Sequence, residues 1–163
     1  GLSLGSLLAL HLAAAHPDLA GMALYSPATK IANRFAFLLP LAQHIIKQWP
    51  KEPEDQDDMT DPKGRLRLWH YSTYPTCAAN EFRKLQHIAL QELGRIQVPT
   101  IEFYSTLDKM IHPKSGSLTF EKLGSEDKEL VILHNSGHNL LVDSERESIF
   151  ARTYGFVVGH AEG

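Results

Sequence analysis

Residues 1–16, Gly1-Leu2-Ser3-Leu4-Gly5-Ser6-Leu7-Leu8-Ala9-Leu10-His11-Leu12-Ala13-Ala14-Ala15-His16, decide how the rest of the chain is read. The first five residues fit G-x-S-x-G. Residues 6–16 are strong helix formers, apolar on nearly every face, as expected of a helix buried against a sheet, and Pro17 stops them. In such a strand-to-helix turn two glycines permit a tight bend that presents the serine Oγ. The helix N-terminus behind it sets backbone N–H groups near a developing oxyanion. A pentapeptide of this form arises by chance in about 5% of chains this long at average Gly and Ser usage, so context must carry the reading. The alternative is a glycine-rich turn whose serine only caps a helix.

Working outward, residues 21–27 (GMALYSP) form a short apolar run closed by Ser-Pro, which suits a buried parallel strand. The C-terminal part alternates in the same way. VPTIEFY (98–104) and ELVILH (129–134) read as strands, residues 114–123 as a helix ending at Gly124, and a last helix starts at about Asp143. Ser144 with Glu147 forms a capping box for that helix, with Asp143 as the alternative cap. Between these halves, residues 28–95 change character. A greasy stretch leads into the acidic run KEPEDQDDMTDPKG, which reads as a solvated loop, with no strand in the whole region. Residues 80–93 form an amphipathic helix capped by Asn80. The expected organisation is an α/β core in two pieces, 1–27 and 96–163, around a helical insertion.

A serine at its ordinary pKa is a poor nucleophile and needs a base and an orienting acid. Asp108 follows the strand ending at 104, and His138 follows the strand ending at 134. One helix and one strand lie between them, which brings both loops to the carboxyl edge of the sheet, where sites in open α/β folds collect. Taken singly, Asp108 is equally a turn former. His138 and His134 have the i, i+4 spacing of zinc ligands, but Gly137 and the loop position argue against the helical face such a pair needs. No metal or other cofactor is expected.

The formal charge of −3 comes without a Lys/Arg stripe, so nucleic acid is an unsuitable partner. The only cysteine, Cys77, has no internal partner and reads as an ordinary buried or half-buried thiol. No apolar run approaches the roughly 18 residues that span a bilayer, so stable membrane insertion is not expected.

The motifs GLSLGS, VPTIEFYSTLDKMIHPKS and NSGHNLLVDSERE resemble the monoacylglycerol lipase and thermostable carboxylesterase branch of the α/β-hydrolases, the group described by a serine aminopeptidase S33-like domain. Ser105 departs from the glycine that many members carry three residues before the acid. The resemblance implies a mostly parallel sheet flanked by helices, with residues 28–95 as a lid. It implies a triad of Ser3, Asp108 and His138, the Leu4 N–H as one oxyanion donor, and an acyl pocket drawn from lid residues such as Phe35, Leu38, Trp49, Trp69 and Tyr71. The activity implied is hydrolysis of carboxylic esters, with a small ester or lipid as substrate and a cytoplasmic location. Other triad chemistries (acyl transfer, C–C cleavage, peptide hydrolysis) and a non-catalytic ligand-binding member of the fold are the alternatives. The comparison also implies that the N-terminal strands and the second oxyanion donor precede Gly1, and that this segment alone is poorly soluble or inactive.

Overall fold

The computed structural model describes residues 1–30, 38–51, 58–69 and 71–161. Helix α1 (Leu4–Ala15) starts on the residue after Ser3 and stops before His16, which leaves the helical region (φ −127°, ψ 78°) ahead of Pro17. Strand β1 (Met22–Tyr25) follows. After α2 (Leu39–Ile45), β2 (Gln48–Pro50), β3 (Thr73–Pro75) and α3 (Thr76–Glu92), the chain returns to the sheet. It closes with β4 (Thr100–Ser105), α4 (Ser115–Lys122), β5 (Lys128–Leu133) and α5 (Arg146–Ala161).

The central sheet has the order β1-β4-β5 and is parallel throughout, with Tyr25 opposite Phe103 and Ser105 opposite Leu133. Leu2 forms a further parallel bridge to Tyr25, on the side of β1 away from β4. The period of two sends side chains to two separate cores. On one face Leu7, Leu10, Met22 and Leu24 pack with Ala89, Leu93 and Ile96. On the other, Ile101, Phe103, Val131 and Leu133 pack with Leu140 and with Ile149 of α5. Each large side chain so buried contributes about 1.5–3 kcal/mol. The sheet thus fixes three strand ends at one rim, from which the candidate site is built.

Several expectations are corrected. Among the described residues the stripe of α1 with Leu7, Leu10 and Ala13 is covered, while Leu4, Leu8 and Leu12 are exposed. The stretch 28–95 contains strands after all. β2 and β3 pair antiparallel, with Trp49 opposite Tyr74, but they are three residues long and mostly exposed, so no apolar alternation announces them. Asn80 is not a cap. Helix α3 starts four residues earlier, after an extended Pro75, and Asn80 is buried inside it with its amide donating to Gln43 Oε1 of α2 (3.2 Å). The capping box does not form either. α5 begins at Arg146, Glu147 pairs with Arg146 (3.3 Å), and Ser144 lies near the Thr60 hydroxyl (2.8 Å). Cys77 is exposed, on the outward side of the first turn of α3. The acidic run is not wholly solvated, because Asp58 is buried; its residues 52–57 lie outside the described residues. Among the described residues no helix is long and apolar enough to cross a membrane.

Candidate active site

Ser3 joins the Leu2 bridge to α1 with φ 53° and ψ −112°, a region that costs a non-glycine residue about 1–3 kcal/mol. Its surroundings over-determine that conformation. Ser3 N donates to Tyr25 O (2.8 Å), Tyr25 N to Gly1 O (2.8 Å) and Gly5 N to Leu2 O (2.7 Å). The buried Ser6 hydroxyl lies 2.6 Å from Gly1 O and 3.1 Å from Tyr25 O. A Cβ on Gly1 would stand 2.2 Å from Gly5 O, whereas one on Gly5 would meet nothing within 4 Å among the described residues. The Ser3 side chain makes no capping bond to α1, which removes the reading of this serine as a helix cap. Leu4 N–H, first in the helix, has no carbonyl of its own helix to donate to.

Asp108 uses its two oxygens differently. Oδ1 accepts from the N–H groups of Met110 (2.9 Å) and Ile111 (3.2 Å), shaping the loop after β4. Oδ2 accepts from His138 Nδ1 at 2.7 Å. Asp108 thus both shapes the turn after β4 and accepts from the histidine ring. The Asp108 side chain is fully buried and the imidazole is 9% exposed. With an ionised carboxylate at Nδ1 the proton sits there, and Nε2 is left as the acceptor, the tautomer a general base requires.

The histidine backbone is held at both ends. His138 N–H donates to Asp58 Oδ2 (3.1 Å), and its carbonyl accepts from the buried Ser26 hydroxyl (3.1 Å). Ser26 follows Tyr25, whose carbonyl holds Ser3 N–H. Two adjacent residues at the end of β1 thus tie the serine turn to the histidine loop, and all three candidate residues stand at the same rim. Among the described residues no hydrogen bond joins the Ser3 hydroxyl to the imidazole.

Several supporting residues escaped sequence reasoning. The buried Ser105 hydroxyl donates to Ser136 O and accepts from Leu107 N (3.1 Å), so the departure from glycine ties the acid loop to the histidine loop. The buried Asp143 carboxylate accepts from Gly137 N (2.7 Å), Asp61 N (2.7 Å), Thr60 N (2.9 Å) and Ser144 N (2.8 Å). Burial alone would raise this carboxyl, but the N–H groups of Gly137, Thr60 and Asp61 and the Thr60 hydroxyl hold it below its usual range. Glu145 accepts from Asn135 N (2.9 Å) and the Ser136 hydroxyl (2.8 Å). These acids read locally as helix caps or solvated charges; the only hint of another role was their crowding just after the histidine.

Of the residues assigned to an acyl pocket, Leu38, Trp49, Trp69 and Tyr71 are exposed on the insertion, and Trp69 meets Tyr71 edge to face at 4.8 Å. Phe35 lies outside the described residues. A shallow apolar cavity lined by Met22, Phe156 and Val157 sits at the start of β1, the opposite end of the strand from Ser3.

The chain is 28% identical over 166 residues to the thermostable monoacylglycerol lipase of Bacillus sp. (strain H-257), covering 99% of this chain and 62% of that protein. It superposes on a structure from the metagenome-derived lipolytic enzymes LipS and LipT with a TM-score of 0.89 and 25% identity, covering 98% of this chain and 64% of the other. The monoacylglycerol lipase of Paleococcus ferrophilus gives a TM-score of 0.85 at 21% identity, covering 98% and 67%. The chain thus spans about three fifths of the length of the curated relative, and what it presents is part of an α/β-hydrolase fold. The family model described as serine aminopeptidase, S33 matches residues 1–145. With strands, turn and rim arranged as above, the chain belongs to the serine aminopeptidase S33 family of α/β-hydrolases.

Proposed function

We propose that the intact protein is a carboxylic ester hydrolase acting through an acyl-enzyme on Ser3. The observation that carries this reading is the 2.7 Å bond from His138 Nδ1 to buried Asp108, at the rim where Ser3 is held at positive φ. Ser3 Oγ adds to the acyl carbonyl carbon while His138 Nε2 takes its proton. Collapse of the tetrahedral intermediate expels the alcohol, which leaves with that proton. Water then adds to the acyl-enzyme through the same base and releases the carboxylic acid, restoring Ser3. Asp108 stays ionised and stabilises the imidazolium, and Leu4 N–H is one oxyanion donor. The link from Ser3 to Nε2 forms with substrate in place, as catalytic hydrogen bonds commonly tighten only in the complex.

Residues 28–95 act as a lid in this reading, and their exposed Leu38, Trp49, Trp69 and Tyr71 favour an ester with an apolar acyl chain. The names of the relatives, monoacylglycerol lipases among them, support the same substrate class. A fluorophosphonate probe followed by peptide mapping tests the reading. The adduct is expected on Ser3, and Ser3→Ala should lower p-nitrophenyl ester hydrolysis by at least ~10⁴-fold. A folded, intact protein whose Ser3 takes no label ends the proposal.

A further inference from the structure

Asp58 leaves the insertion and enters the catalytic rim. It is 6% exposed, and its Oδ2 accepts two backbone N–H groups: Lys109 at 2.8 Å and His138 at 3.1 Å. Lys109 is the residue after the proposed orienting acid Asp108, and His138 is the proposed base. A single oxygen thus joins the acid loop to the histidine loop, beside the Asp108–His138 bond and without touching either of those side chains. The Asp58 carbonyl also accepts from Asn139 N (3.4 Å). We propose that Asp58 is a positioning residue: its carboxylate sets the spacing between the Asp108 and His138 loops, so that the insertion helps to align the triad. The inference rests on the triad proposed above.

The physical case is geometric. Loops after neighbouring parallel strands share no ladder hydrogen bonds beyond the strand ends, so their separation must be fixed by side chains. Ser105 ties the strand ends through Ser136, but farther along each loop the N–H groups of Lys109 and His138 meet at one acceptor supplied from a segment distant in sequence. Oriented reactions are steep in distance, and a misplacement of about 1 Å lowers rate by about 10²-fold. Binding of the acyl group does not use Asp58, so the effect belongs in kcat.

The test compares Asp58→Asn with Asp58→Ala in the intact protein. The asparagine keeps an oxygen where Oδ2 stands and is expected to retain most of kcat. The alanine is expected to lose kcat by about 10²-fold with KM little changed. Fluorophosphonate titration separates alignment from folding: Asp58→Ala should still label to full stoichiometry, only slowly. Parental kcat in Asp58→Ala overturns the inference. So does a loss matched by an equal fall in labelling stoichiometry, or an Asp58→Asn variant as impaired as the alanine. Failure of the parental protein to label at Ser3 instead overturns the triad itself.

Discussion

Gly137→Ala puts the smallest possible wedge between the histidine loop and the insertion. A Cβ there would lie 2.4 Å from Asp58 O, 2.6 Å from Asp58 C and 2.8 Å from Asp58 Oδ1. Two of these atoms are backbone, so no rotamer change relieves the clash. Bringing the nearest contact out to an ordinary separation of about 3.4 Å requires the two segments to part by about 1 Å. Gly137 adjoins His138, so the displacement reaches the 2.7 Å bond to Asp108. A shift of that size in a catalytic group costs about 10²-fold in rate, or ~2.7 kcal/mol of barrier, and overpacking adds about 1–3 kcal/mol of destabilisation. Steady-state hydrolysis of a p-nitrophenyl ester and a thermal melt by circular dichroism measure both. A variant with kcat/KM within about threefold of the parent and an unchanged Tm would refute the argument, because it would mean that the loop absorbs the wedge without moving the imidazole.

Two further expectations concern buried carboxyl groups. Asp143→Ala leaves the buried Gly137 N–H without its acceptor and should destabilise by about 2–4 kcal/mol in urea unfolding. The carboxyl is held below its ordinary 3.8, so its stabilisation is complete above that value and is lost as pH falls through the lowered one. The stability gap between parent and variant is expected to be flat above pH ~5 and to narrow in stronger acid; a gap that grows on acidification contradicts this. Glu102, fully buried on β4, has neither carboxyl oxygen hydrogen-bonded among the described residues. Burial pushes it well above 4.5, with Lys128 opposing. A raised pKa makes the folded state lose stability as pH climbs from the unfolded value toward the folded one. Glu102→Gln is therefore expected to gain Tm relative to the parent between pH 5 and 8 in a thermal-shift series, and a difference independent of pH argues against the assignment.

What the sequence made legible was local. The helix after Ser3, the strands near 98–104 and 129–134, and the placing of Ser3, Asp108 and His138 beside elements of one sheet follow from periodicity and from the turns that adjoin them. The elements that were misread depend on partners far away. β2 and β3 are held by each other rather than by an apolar pattern. Asn80 looked like a cap until α2 supplied Gln43. Asp58 and Asp143 are indistinguishable in sequence from solvated charge, because what buries them is the return of the insertion onto the rim. Ser105 looked like a neutral departure and became a tie between loops only when Ser136 came beside it.

β1 ends at Tyr25 and its neighbour β4 begins at Thr100, with the whole insertion strung between two paired strands. The entropy of closing such an excursion grows only logarithmically, about 0.6 kcal/mol for each doubling of length. Insertions and deletions in its exposed stretches, away from Ala89, Leu93 and Ile96 in the core, are therefore nearly neutral for the sheet. The freedom has two boundaries. The excursion must keep the face of α3 that enters the core and must touch the rim through Asp58 and Thr60, so divergence should be widest in its exposed stretches and narrowest at those two places.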